Sequence, residues 1–272
     1  MSTSAGGVFL SIPFGPARDW RTGTAPLRYT PSAGDKFVET LGREIRLRST
    51  VLGEAKFDTV YFGGCGPTCL TLDQLYRILH VLYDTIPIVP REQTIVVLPG
   101  TVDAARAKVL LESGFDRVEL RTNDPAAVRT DFDVLRRAGF ATVGVELEAA
   151  GDPDHWEARL STLVGIEPDH IALFGGSGSG PLFERGRARL QDGYREYGPQ
   201  HFVRHGHECQ FLEAAWAAAP LLGLGPGATT RLAGRCEHSD SDPGRYGAAL
   251  KRNRLPLVPV AAESTPPYTS AD

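Results

Sequence analysis

Several residue types that mark whole functional classes are scarce in this chain. Four cysteines in 272 residues, Cys65, Cys69, Cys209 and Cys236, are too few and too scattered for a disulfide framework and read as reduced thiols. Methionine occurs once, and lysine supplies only four of the 29 cationic residues; no function follows from that bias. There is no surplus of positive charge. The net charge is −4 with the cations dispersed, which removes the electrostatic case for nucleic-acid binding. No apolar run approaches the roughly 18–20 residues that span a bilayer. The N-terminal stretch MSTSAGG has neither a basic start nor an apolar segment before a cleavage site. No membrane association is expected, and the chain reads as cytoplasmic.

What is present is an α/β pattern. With 42% hydrophobic and 23% charged residues, the chain can bury one sizeable core, or a core with a small appended domain. Short apolar runs at 8–14, 57–62, 94–98, 117–120, 141–147 and 170–174 alternate with amphipathic stretches near 35–52, 72–83, 102–113, 125–137 and 155–164. The runs are apolar rather than alternating, as expected of parallel strands covered by helices. Thr71 with Gln74 has the spacing of a capping box, and Gly114 and Gly139 stand where helix-ending glycines belong. Six βα units in series predict a parallel barrel, complete or partial, with any site at the C-terminal strand ends. A doubly wound sheet has the same element order, and periodicity does not separate the two. After Phe174 come a Gly/Ser loop at 175–180, a helical pattern over 181–197 and a mixed segment. The tail rich in Pro, Ser and Ala is expected to be poorly ordered.

Motifs in order along nearly the whole chain decide between these. Ser11-Ile12-Pro13-Phe14, Tyr61-Phe62-Gly63-Gly64-Cys65-Gly66-Pro67, Pro99-Gly100-Thr101, Pro168-Asp169-His170-Ile171-Ala172-Leu173, Phe202 to Cys209 (FVRHGHEC), Leu222 to Ala228 (LGLGPGA) and Asp242-Pro243-Gly244-Arg245-Tyr246 resemble, in sequence, the landmarks of oxygen-independent coproporphyrinogen oxidases and related heme chaperones. These form a subfamily of the radical SAM superfamily. The resemblance implies a six-stranded parallel partial (β/α)6 TIM-like barrel over 1–176. It also implies a C-terminal subdomain resembling that family's extension over 177–260, with a flexible tail over 261–272.

The same resemblance exposes losses. The family's three cluster-binding cysteines follow its IPF strand, and the positions here are Gly15, Asp19 and Thr22. Iron–sulfur clusters need thiolates, so no 4Fe-4S cluster is expected. Trp20 and Arg21 in that loop either plug the vacated space or stack on an aromatic ligand. In strand three, Val96-Val97-Leu98 stand where the family carries a carboxylate and an amide. A histidine of the heme chaperones aligns with Phe211, which excludes axial heme ligation through that residue.

Candidate site residues are those that remain. Gly63 and Gly64 leave backbone N–H groups at a strand end before a helix, which in the family hold the amino and carboxylate groups of a methionine moiety; the alternative is a tight βα turn with no ligand. Cys65, Asn123, taken as a stand-in for a glutamine, and Glu146 complete the cofactor-binding set. Glu146 and Glu148 share a strand face, and Glu119 is an inward polar residue to be paired with an arginine such as Arg121. Glu146, His201 and His205 are the candidate acid/base groups. His205-x-His207-x-Cys209 would share one face on a strand, but His207 and Cys209 belong to the ancestral landmark, and no metal site is assigned. The expected function is a non-radical enzyme of specialised metabolism that binds a small-molecule substrate, with S-adenosylmethionine as the candidate cofactor. Its chemistry would be alkyl transfer, cyclisation or acid–base catalysis. The alternative is a pseudoenzyme that works through a protein partner. Anaerobic treatment with iron and sulfide should leave the protein colourless, whereas incorporation of about four irons per chain with brown thiolate-to-iron absorption would refute the loss of the cluster.

Overall fold

The computed structural model describes residues 5–19, 21–174 and 180–259; Trp20, residues 175–179 of the glycine/serine loop and the tail lie outside them. In chain order the elements are β1 (Gly6–Ile12), α1 (Pro31–Ser49), β2 (Phe57–Gly64), α2 (Leu72–Thr85), β3 (Ile88–Val97), α3 (Ala104–Glu112), β4 (Arg117–Thr122), α4 (Arg129–Ala138), β5 (Thr142–Glu148), α5 (Pro153–Gly165), β6 (His170–Phe174), α6 (Pro181–Leu190), β7 (Arg195–Gly198), β8 (His201–Val203), α7 (Gln210–Trp216), β9 (Leu221–Leu224), β10 (Thr229–Leu232), β11 (Arg235–Ser239), α8 (Pro243–Lys251) and β12 (Leu257–Val258). None of the described helices is long and apolar enough to cross a membrane.

Local chemistry sets the helix ends. Thr71 and Gln74 close the capping box of α2, each accepting from the other's backbone N–H. Gly139 ends α4 at φ 99°, a conformation that a Cβ disfavours. Helix α1 begins earlier than its apolar pattern, because Thr30 caps it and Pro31 opens it. The helix expected over 181–197 stops at Leu190, whose carbonyl accepts from Gly193 and Tyr194 in a turn that leads into β7.

Packing divides the chain into two units, one formed by the residues up to Gln93 together with those from Gln210 onward, the other by Thr94–Cys209. In the first, the strand order is β12-β11-β10-β9-β1-β2, with β1 parallel to both β2 and β9 and the remaining pairs antiparallel. In the second, the residues of β3 from Thr94 lead the order β3-β4-β5-β6-β8-β7, parallel as far as β6 and antiparallel beyond. The expectation of six strands is therefore corrected to twelve, and no closed barrel is seen among the described residues. The central strands are the parallel ones read from the βα repeat. The added strands are short and partly polar, RCEHS in β11 and REYG in β7, and carry no periodic signal.

The first unit is organised around a buried carboxylate. Glu44 on α1 accepts from Gly225 N–H after β9 (2.7 Å), from the Tyr246 hydroxyl on α8 (2.7 Å) and from Ser239 on β11 (3.3 Å). Burial raises its pKa above the usual glutamate range, against the lowering effect of those donors and of Arg48. The folded chain thus holds this proton more tightly than the unfolded chain. Glu44's contribution favours folding on the acid side and is lost as pH rises through the folded value. Glu44→Ala, which orphans three buried donors, should lower the unfolding free energy by about 3 kcal/mol in urea titrations. Glu44→Gln should cost less and should flatten this component of the stability–pH slope above the ordinary glutamate range; an unchanged slope would mean that the group does not titrate with folding.

Candidate functional site

In the first unit the segment after β1 is a self-satisfied turn. The Asp19 carboxylate accepts from Thr22 N–H at 2.9 Å and from the Thr22 hydroxyl at 2.7 Å, and Asp19 N–H and the Thr24 carbonyl meet at 3.1 Å. The Thr24 hydroxyl donates to the Pro226 carbonyl at 2.8 Å, and the Cys65 thiol to the Thr24 carbonyl at 3.5 Å. Arg21, buried, lies over the Tyr61 ring at 5.5 Å. It plugs this region by stacking on the chain's own aromatic residue.

The glycine turn at the end of β2 lies beneath this segment. Gly63 and Gly64 occupy the C-terminal strand end where they were expected, and there they are buried rather than exposed. Residues 63–68 are buried, and the N–H of Cys65 donates to Ile12 O at 2.7 Å. A Cβ on Gly64, where φ is 93°, would stand 2.3 Å from Ile12 N; one on Gly63 would stand 2.7 Å from Phe9. The close approach of β1 accounts for both glycines. Cys65 is buried, with the backbone of Gly15 against it: a Cβ on Gly15 would lie 2.6 Å from Cys65 O. Phe211 packs with Phe9 and Tyr61, ring centroids 6.1 and 5.1 Å away.

The second unit carries a polar row on one sheet face. Register aligns Glu119 of β4, Gly144 of β5 and His170 of β6. The Glu119 carboxylate reaches across Gly144 to His170 Nδ1 at 3.0 Å and accepts from Arg117 Nε at 2.8 Å. His170 Nε2 meets the Tyr197 hydroxyl and His201 Nδ1, each at 3.1 Å. Desolvation, reinforced by Cys209, holds the Tyr197 phenol well above its usual pKa, so it stays a donor. One layer along, Arg121 Nε donates to Glu146 at 2.6 Å. Leu173 packs against α5 and α6 through Trp156 and Gly186, so by alternation His170 and Ala172 face away from those helices.

This arrangement changes the expected assignments. Glu119 pairs with Arg117, not Arg121. Arg121 instead holds Glu146, which is fully buried and ion-paired rather than poised as a free base. His201 is buried against His170, whereas His205 is exposed in a turn, so the two are not brought together. His205, His207 and Cys209 do not lie on one strand, because β8 ends at Val203 and Gly206 turns at φ 89°. Among the described residues no three His, Cys, Asp or Glu side chains gather as a metal set. Asn123 is exposed just after β4, its carbonyl accepting from Arg159 at 3.0 Å, and Glu148 is half-buried. His170, Arg117, Tyr197 and Gly144 were missed. The signals available were a histidine inside an apolar strand motif and a glycine within β5.

No family model matches the chain. It is 24% identical to oxygen-independent coproporphyrinogen III oxidase of Paracoccus denitrificans over 200 residues, 59% of this chain and 44% of that protein. It is 24% identical to heme chaperone HemW of Lactococcus lactis over 246 residues, 74% and 62% of the two chains. Anaerobilin synthase of Escherichia coli O157:H7 is 31% identical over 211 residues, 67% of this chain and 47% of that one. The chain belongs to the coproporphyrinogen-oxidase-like radical SAM family. It spans between 44% and 62% of the length of these relatives. The solved coproporphyrinogen III oxidase (HemN) of Escherichia coli, a radical SAM enzyme, shares the fold: TM-score 0.76, 18% identity, 93% of this chain and 70% of that one covered.

Within that family the residues present do not fit an iron–sulfur cluster. Gly15, Asp19 and Thr22 offer no sulfur, the Asp19 carboxylate is engaged by Thr22, and Gly15 has no room for a side chain. The buried Gly63-Gly64 turn likewise offers no open cradle. Gly144→Ala should displace Glu119 from His170, since the new Cβ would lie 2.0 Å from the carboxylate. A loss of about 2 kcal/mol in unfolding free energy is expected; a variant as stable as wild type would show that the carboxylate is not held over Gly144.

Proposed function

We propose that this chain is a pseudoenzyme of the coproporphyrinogen-oxidase-like radical SAM family: a cluster-free, cytoplasmic protein that acts by binding a protein partner rather than by turning over S-adenosylmethionine. The observation that carries this reading is the Asp19–Thr24 turn. It fills the position of the cluster loop with internal hydrogen bonds and fastens to Pro226 and Cys65. The Asp19–Thr22 hydrogen bonds and the Cys65 N–H are engaged within the same unit, and Arg21 stacks on Tyr61, which supports a region closed by the chain's own residues. Phe211, packed among aromatic rings, supports the parallel proposal that heme is not ligated at that position.

A second reading, a non-radical acid–base or alkyl-transfer enzyme, is favoured by one observation, the Glu119–His170–Tyr197 chain. A carboxylate that orients a histidine is the arrangement by which general bases are set. Glu146 and Asn123 are the further proposed site residues under that reading.

Thermal denaturation distinguishes the two. A ligand that binds only the folded state raises the melting temperature by mass action, by about 2.7 kcal/mol of stabilisation at a hundredfold excess over its Kd. S-adenosylmethionine, S-adenosylhomocysteine and heme should each leave the transition unmoved under the pseudoenzyme reading. A saturable upward shift with S-adenosylmethionine would overturn that reading in favour of the enzyme.

A further inference from the structure

Arg48, in the last turn of α1, is 1% exposed. Its Nη1 donates to Glu237 on β11. Nε and Nη2 have no hydrogen-bond partner among the described residues, although both are buried. Those two nitrogens form the side-on edge of the guanidinium, where two parallel N–H groups match the two oxygens of a carboxylate. Leaving that edge unsatisfied costs roughly the desolvation of two donors, so the site calls for an acceptor.

Arg48 lines a cavity of about 580 Å³, within the range of small-ligand sites. The other walls are mostly apolar, with Leu52, Leu232 and Leu255 among them, and the charged residues Arg235, Glu54 and Glu237 also line the space. This cavity stands apart from the Gly63-Gly64 turn. Pro220 directly precedes β9, and Ala55 lies two residues before β2, which places the cavity at the N-terminal strand ends of this unit. The turn lies at the C-terminal end of β2.

We propose that this cavity binds a small monocarboxylate with an apolar body, its carboxylate seated on the Nε/Nη2 edge of Arg48 and its hydrocarbon against Leu52, Leu232 and Leu255. Glu237 holds the guanidinium through Nη1 and leaves the other two nitrogens for the ligand. A carboxylate fits better than a neutral polar group because both donors converge on one planar acceptor and the cation needs no added proton.

Calorimetry on the full chain tests this with octanoate as probe and octanamide, its neutral counterpart, as control. Octanoate should bind one per chain and at least about tenfold more tightly than octanamide, a difference of about 1.4 kcal/mol. Arg48→Lys, which keeps the charge and loses the fork, should weaken octanoate by about tenfold or more. Leu232→Trp, on the β-hairpin rather than in the buried pair, should abolish binding by filling the space if Arg48→Lys fails to fold. No binding of octanoate, equal binding of the two probes, or undiminished binding by Leu232→Trp would each overturn the proposal, as would a crystal structure grown with octanoate in which water alone meets the Arg48 edge.

Discussion

The first unit depends on how tightly β1 is held between its two parallel neighbours. At Gly6, Gly64 and Gly225 a Cβ would come within 2.0 to 2.3 Å of backbone atoms of Pro220, Ile12 and Ser11 respectively. No side chain fits such gaps, and Gly64 and Gly225 also sit at positive φ. This accounts for the persistence of the two glycine motifs, YFGG and LGLGPG, without reference to any bound molecule. The Gly63-Gly64 turn, which reads in the sequence as a cofactor cradle, is also a contact between one strand and its neighbour.

Much of the architecture was legible in the sequence because its determinants are local. The capping box of α2, the left-handed Gly139 and the apolar runs of β4, β5 and β6 each signal themselves within a few residues. The polar row of the second unit was not, because Glu119, Gly144 and His170 are brought into line by strand register, which depends on how three separate segments pair. His205, His207 and Cys209 show the converse case. Their spacing suits a strand, and a glycine turn broke the strand before it reached them. The concealment of the Gly63-Gly64 turn was equally beyond reach, since it comes from β1 and the 19–24 segment rather than from the turn's own residues.

The two units handle buried charge in one way. Glu44 is surrounded by donors from three elements, Glu119 by Arg117 and His170, and Glu146 by Arg121. A carboxylate withdrawn from water without such partners would cost several kcal/mol. Each therefore ties its elements to one geometry and is less free to exchange protons with a substrate. The edge of Arg48 departs from this pattern, since a buried cation keeps two donors unspent.

The crowding of Gly15 against Cys65 has a bearing on descent. Restoring a thiol at position 15 would drive a side chain into the Cys65 carbonyl, and this conflict precedes any gain from metal binding, which needs all three thiolates together. A side chain can therefore be added at position 15 only if the Cys65 backbone gives way, so the two positions constrain one another.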